Sequence, residues 1–282
     1  MDFRQEPAKA AHSDKTVSVG IAGLGAIGGT VAATLAAGIP GLSLAAIAVR
    51  DKPKAESWLA ARRIAVPIVP LAALASRCDV VVECLPPSRF AEIAEPTIEA
   101  GKILVPLSVG ALLAHPELSD RARASGARIL VPTGALIGLD AVRAAAEGKI
   151  HSVRMVTRKP PQGLAGAPYL VANNISLEGL TGPLKIFEGS ARDGAKGFPA
   201  NVNVAAALSL AGIGPDRTRL EIWADPGVTR NMHRIEVDAE SARFSMSIEN
   251  IPSAENPRTG QITGLSVLAL LRSLTAPLVV GT

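Results

Sequence analysis

Aromatic side chains are nearly missing from this chain, at 3% of 282 residues, although 48% of the residues are apolar. Any core must therefore be built from Ala, Val, Leu and Ile. A surface that stacks nucleobases on interleaved aromatics and cations is excluded. Runs of one charge are missing too. The net charge is only +4 and the basic residues are scattered, which fits a solvated, mildly basic surface with a bias toward small anions, and no nucleic-acid partner is expected. Two cysteines, Cys78 and Cys84, form no C-x-x-C, and the four histidines do not cluster with them. No metal site is indicated, and buried thiols in a reducing compartment are expected. Residues 1–15 mix charges with alanine and lack an apolar core; they read as a loose tail with no secretory signal, and a cytoplasmic location is expected.

Charge is absent altogether from Thr16 to Val49. Seven glycines and Pro40 interrupt that stretch, so it makes a poor membrane span, and no membrane association is expected. What it does contain is Gly23-Leu24-Gly25-Ala26-Ile27-Gly28, a G-x-G-x-x-G placed after the apolar run Val17 to Ala22 and before a helix-like stretch, Gly29 to Ala37. A second apolar run, Leu42 to Val49, ends at Arg50-Asp51. Strand, glycine turn, helix and strand in this order form the unit that holds a dinucleotide. The first glycine permits the turn, the second lets backbone approach the pyrophosphate, and the third lets the helix sit on the sheet. Phosphates then face unpaired N–H groups at the positive end of the helix. Asp51 is placed to accept hydrogen bonds from the adenosine ribose, while Arg50 and Lys52 suit a 2′-phosphate. The pattern thus admits NAD or NADP.

Alternating apolar and amphipathic segments continue to about Gly138. Helices are expected at Ala55 to Arg63, Phe90 to Ala100 and Pro116 to Ala124. Strands are expected at Cys78 to Cys84, Lys102 to Leu107 and Ala127 to Val131, with a short strand and helix over Pro67 to Arg77. That rhythm predicts an α/β fold whose N-terminal part is a Rossmann doubly wound parallel sheet. Beyond Gly138 it changes. Strands at Lys149 to Lys159, Leu184 to Glu188, Arg219 to Ala224, Met232 to Val237 and Ala242 to Glu249, with a helix over Asn201 to Gly212, predict a C-terminal α+β domain with a mainly antiparallel sheet. The last helix, Leu265 to Leu274, needs an apolar partner and is expected back on the first domain. The expected division is a tail over 1–15, a dinucleotide domain over 16–138 plus 260–282, and a catalytic and oligomerisation domain over 139–259. The open sheet of the second is a natural surface for a homodimer or homotetramer.

Among proton-transfer candidates, His12 and His115 read as surface residues and His151 as undistinguished. His233 shares the face of Ile235 and Val237 by period two. By position alone, that is more often the place of a satisfied structural histidine than of a catalyst. Asn201 is placed to cap its helix, and Asn203, one turn inside, has poor helix propensity and is as well suited to presenting its amide to a ligand. Lys159, Arg192 and Lys196 are candidate anion contacts, with solvated lysine as the ordinary reading.

The segment from Glu188 to Ala206 resembles the matching stretch of L-aspartate dehydrogenases. So do Ala224-Asp225-Pro226 with Arg230-Asn231-Met232-His233, and Glu249 to Thr259. Leu107 to Ala111 and Pro132 to Asp140 also look like motifs of that family. The likeness runs from about Val17 to Leu274. It implies oxidation of L-aspartate to iminoaspartate with NAD or NADP, reversed as reductive amination of oxaloacetate, in a site that takes a small dicarboxylate amino acid; the iminoaspartate then either feeds NAD biosynthesis or hydrolyses to oxaloacetate and ammonia. It also implies His233 as the active-site residue, and cofactor contacts from Asn203 and from the Ala135 backbone. Thr133, Ile137, Gly197 and Arg234 depart from the family pattern. Ile137 is expected to add bulk near the nicotinamide, and Arg234 to place a cation beside His233 that disfavours its protonated form. The competing expectations are a related two-domain reductase with another small carboxylate substrate, and a dinucleotide sensor without turnover.

Overall fold

The structure is a computed structural model that describes residues 16–253 and 260–281. The proposed tail with His12, and Ala254 to Thr259 of the last family-like motif, lie outside the described residues. Sheet A follows the expected βα alternation: β1 (Val17–Ala22), α1 (Ala26–Ala37), β2 (Leu42–Ala48), α2 (Lys52–Arg62), α3 (Leu71–Leu74), β3 (Val80–Glu83), α4 (Ala91–Glu99), β4 (Ile103–Pro106), α5 (Val109–Leu112), α6 (Glu117–Ser125) and β5 (Arg128–Ile129). Its order is β2-β1-β3-β4-β5, with every pair parallel. The strand expected after Pro67 is reduced to one parallel bridge from Ile68 to Ile47 of β2. The order in which strands are added switches sides between β1 and β3, and the crevice at their carboxyl ends is where ligands of such sheets sit.

Val80, Val81 and Val82 are fully buried, because helices cover both faces of the sheet. On one face Val31 and Leu35 of α1 meet Val267, Leu268 and Leu271 of α11 (Ile262–Ser273). The last helix does return to the first sheet, and it starts three residues earlier than its apolar pattern suggests.

The second half runs α7 (Leu139–Ala146), β6 (Ile150–Lys159), α8 (Pro168–Ala172), β7 (Leu184–Ser190), α9 (Ala191–Gly197), α10 (Asn203–Ala211), β8 (Thr218–Ala224), β9 (Asn231–Ala239) and β10 (Arg243–Asn250). These strands form sheet B in the order β10-β9-β6-β8-β7. Only the β6–β8 pair is parallel; the other three pairs are antiparallel. One face carries the core with α7, α9 and α10. The open face is polar, with Arg154 paired to both Glu221 and Glu236. Much of the sparse aromatic content sits in one cluster, where the rings of Tyr169, Phe187 and Phe198 lie 5.2–5.6 Å apart. Gly197 borders it. A Cβ there would come within 2.9 Å of Tyr169 Cβ, which is a packing reason for that departure from the family pattern.

Helices α5, α7, α8 and α9 were not expected from the sequence. Each is short; α9 holds Gly194 and Gly197, so packing rather than propensity makes it helical, whereas α7 is rich in alanine and has favourable propensity of its own.

Candidate active site

The glycine turn leaves β1 at Gly23, whose φ of +100° is open to glycine, and a Cβ there would meet the Cys84 carbonyl at 2.6 Å. A Cβ on Gly28 would collide with the Gly23 carbonyl oxygen, whereas one on Gly25 meets nothing within 4 Å. Gly23 and Gly28 therefore hold the turn closed, while Gly25 opens it to a cavity of about 340 Å³ between the two sheets. Gly25, Ala26, Ile27 and Gly28 line that cavity; Gly23 supports the turn from behind. Helix α1 begins there with no side-chain cap and no acidic residue in its first turn, so its leading N–H groups stay available to an anion. This cradle fits the pyrophosphate of a dinucleotide. Arg50 and Asp51 stand beyond the cavity lining, at the carboxyl end of β2. Asp51 Oδ1 accepts from the Lys54 N–H at 3.0 Å and caps α2.

Two further loops complete the cofactor side. Glu83, fully buried at the end of β3, accepts from the Leu85, Leu107 and Ser108 N–H groups and from Ser108 Oγ at 2.8–3.2 Å. Burial pushes its carboxyl above the ordinary carboxylate range, and these donors pull the other way. One side chain thereby ties together the two loops that present Leu85, Leu107 and Ser108 to the cavity. Cys78 is buried as expected, while Cys84 is half-buried and lines the cavity; desolvation raises Cys78 to about 11 and Cys84 well above the usual range, so neither is a nucleophile near neutrality.

Opposite lies sheet B. Thr157 and His233 are register partners across β6 and β9. His233 is 3% exposed and lines the cavity, with Nδ1 3.1 Å from Thr157 Oγ1. That contact leaves Nε2 as the nitrogen available to the cavity. Burial first, and then the charge of Lys159, lower the imidazole to about 3, so it is neutral at pH 7. The expectation about Arg234 is corrected here. Period two turns Arg234 to the open face, where its Nε donates to Glu236 at 3.0 Å. The cation that acts on His233 is Lys159, two positions beyond Thr157 on the same face of β6.

Lys159 is 5% exposed, so the ordinary reading of a solvated lysine does not hold. Its Nζ donates to Asn201 Oδ1 at 2.8 Å and to the Asn201 carbonyl at 3.3 Å. Desolvation lowers it to about 8. Asn201 is therefore no helix cap. Helix α10 starts at Asn203 after Val202, without a side-chain cap. Arg192 lies on the surface with Asp216, and neither it nor Lys196 reaches the cavity.

Asn203 Oδ1 accepts from the Gly110 N–H at 3.0 Å, which joins α10 to α5 and leaves its NH₂ group for the cavity it lines. Ala135 also lines the cavity. Its carbonyl accepts from Asn250 Nδ2 at 3.0 Å, and the N–H of the same peptide, on Leu136, donates to Thr133. The Gly134 N–H donates to Ser266 Oγ of α11 at 3.0 Å. Thr133 faces the cavity but Ile137 is not among its lining residues, so the bulk expected of Ile137 near the nicotinamide is displaced elsewhere. Ser266 escaped sequence reasoning; Lys159 was named among the candidate anion contacts, and what the sequence did not show is its burial. Among the described residues no cluster suited to a metal ion occurs, and no helix is long and apolar enough to cross a membrane.

Comparison with known proteins places both halves. A family model described as homoserine dehydrogenase, NAD binding domain, matches residues 23–132, and one described as aspartate dehydrogenase, C-terminal, matches residues 140–274. The chain is 60% identical over 274 residues to an L-aspartate dehydrogenase of Bradyrhizobium diazoefficiens, covering 96% of this chain and 97% of that protein. It is 55% identical over 271 residues to L-aspartate dehydrogenase 3 of Bordetella bronchiseptica, covering 96% and 99%. The crystal structure of an aspartate dehydrogenase from Thermotoga maritima superposes with a TM-score of 0.72 at 25% identity, over 94% of this chain and 99% of that one.

Proposed function

The chain belongs to the L-aspartate dehydrogenase family, and from that premise we propose that it oxidises L-aspartate to iminoaspartate with NAD or NADP, and in reverse forms aspartate from oxaloacetate and ammonia. The observation that carries this reading is a buried, neutral imidazole facing a glycine turn open to a diphosphate across one cavity. When bound, the nicotinamide supplies the acceptor for the hydride of the substrate Cα; the protein supplies orientation and electrostatics.

The residues of this chain divide the remaining work. Gly25 and the first turn of α1 receive the pyrophosphate. The Asn203 amide and the fixed peptides around Ala135 orient the nicotinamide end. His233 Nε2 is the base that takes a proton from the substrate ammonium, or from the water that attacks the imine, with Thr157 holding the ring. Walls of Leu85, Leu107, Val109 and Ala207 keep bulk water from the reacting carbon.

Loss of reduced-nicotinamide absorbance on mixing with oxaloacetate and ammonia tests the reading, run with both cofactors. Binding of NADH without its oxidation would instead mark a sensor, and turnover of a different keto acid a related reductase.

A further inference from the structure

We propose that the Lys159 ammonium, held by Asn201, is the receptor for one carboxylate of the substrate. The inference rests on the dehydrogenase reading and specifies how a diacid is recognised there.

A lysine that is almost wholly buried needs an anion or a reason to be there. Lys159 has two hydrogen bonds, both to neutral oxygens of Asn201, and among the described residues no carboxylate pairs with it. The neighbouring charges are committed elsewhere. Asp225, at the end of β8, accepts from Arg158 Nη1 at 3.2 Å and from the Gly227 N–H at 2.9 Å. From β9, His233 faces the lysine and is neutral. Across the cavity the Cys84 thiol is protonated, and Glu83 is enclosed by its four donors. The missing partner of Lys159 is therefore a ligand that enters the cavity.

Its position selects the ligand. Lys159 and Thr157 are same-face neighbours one strand repeat apart, about 6.6 Å along β6, and Thr157 holds His233. A small acid whose carboxylate meets Nζ has its neighbouring carbons beside the imidazole. Asn201 orients the ammonium without neutralising it, which a carboxylate in its place would do. Binding has a second effect: the incoming anion offsets the charge that helps keep His233 neutral, so the imidazole becomes a stronger base once substrate is seated.

The test uses the full chain saturated with NADH and the unreactive four-carbon diacid succinate, with its uncharged diamide succinamide as the control, by titration calorimetry. The wild type is expected to bind succinate at least about tenfold more tightly than succinamide, the range of a charge-assisted hydrogen bond. Lys159→Met is expected to lose that preference, Lys159→Arg to retain most of it, and NADH affinity to stay unchanged in both. In the wild type, which needs no substitution to fold, succinate affinity is expected to fall as pH rises through about 8. Succinate bound equally by wild type and Lys159→Met, succinate not bound at all, or affinity flat across that pH range each overturns the proposal. Should oxaloacetate and ammonia not turn over while succinate binding still depends on Lys159, the activity reading fails and the receptor stands. Normal turnover with succinate binding indifferent to Lys159 is the reverse case.

Discussion

Thr157 stands directly opposite His233 in the β6–β9 ladder, and its hydroxyl lies 3.1 Å from His233 Nδ1. The ladder fixes the spacing and the hydroxyl fixes the ring, so the nitrogen that meets the substrate is chosen by backbone register. His233→Ala is expected to lower kcat by about 10²–10⁴ while leaving NADH affinity, read by fluorescence, within a few fold. Thr157→Val keeps the shape and removes the ring's partner. It is expected to lower kcat about tenfold with little change in KM for cofactor, and unchanged steady-state kinetics in either variant would remove this pair from the mechanism.

Burial of the same imidazole has a cost in acid. Its folded value, about 3, lies below its ordinary 6.5. The unfolded chain therefore binds the extra proton first as pH falls. Stability is expected to drop progressively below pH 6.5 and to stop dropping from this cause near pH 3, by an amount on the order of a few kcal/mol. Urea midpoints measured at pH 7 and pH 5 on wild type and His233→Asn check it: the variant should show the shallower slope.

Gly25 and Gly28 separate two roles within one turn. Gly28→Ala drives a methyl into the Gly23 carbonyl and is expected to destabilise the fold by about 1–3 kcal/mol, visible as a lower Tm without any ligand. At Gly25 the methyl meets open space. Gly25→Ala should therefore fold normally and raise KM for cofactor about tenfold or more, because the methyl occupies the approach to the diphosphate. Equal effects of the two changes on Tm would contradict this assignment.

Cofactor choice is expected to turn on Arg50. Asp51 spends one carboxylate oxygen on capping α2, while Arg50 is exposed at the end of β2, where a cation meets a 2′-phosphate. Arg50→Ala should weaken NADPH about tenfold and leave NADH nearly unchanged in fluorescence titrations. Parallel loss of both cofactors would argue against a role in discrimination.

The nucleotide half was legible in the sequence because its demands fall on neighbouring residues. A strand, three glycines and a helix lie within one short stretch; Gly23 and Gly28 are fixed by backbone geometry, and Gly25 leaves the approach to the turn open. The burial of His233 was legible for a similar reason: period two on β9 places it with Ile235 and Val237, and all three are buried; its assignment to the site came from the family resemblance. Lys159 was legible only as a candidate anion contact beside Arg192 and Lys196; its burial was not, since what covers it is Asn201 and the approach to α10, some forty residues on. Arg234 shows the converse error, because adjacency in sequence on a strand means opposite faces in space. The Gly-rich α9 and the four-residue α5 carry too little local signal to be read without the core they rest on.

Ser266 reaches from α11 to the Gly134 N–H, and α11 itself fills the groove beside α1. The ribosome delivers that helix only after every strand of sheet B has been made. The glycine turn thus emerges first but waits through the whole synthesis of the second sheet for the piece that finishes its surroundings. A nascent chain stalled before Ile262 is accordingly expected to hold a complete sheet B yet grip a dinucleotide poorly.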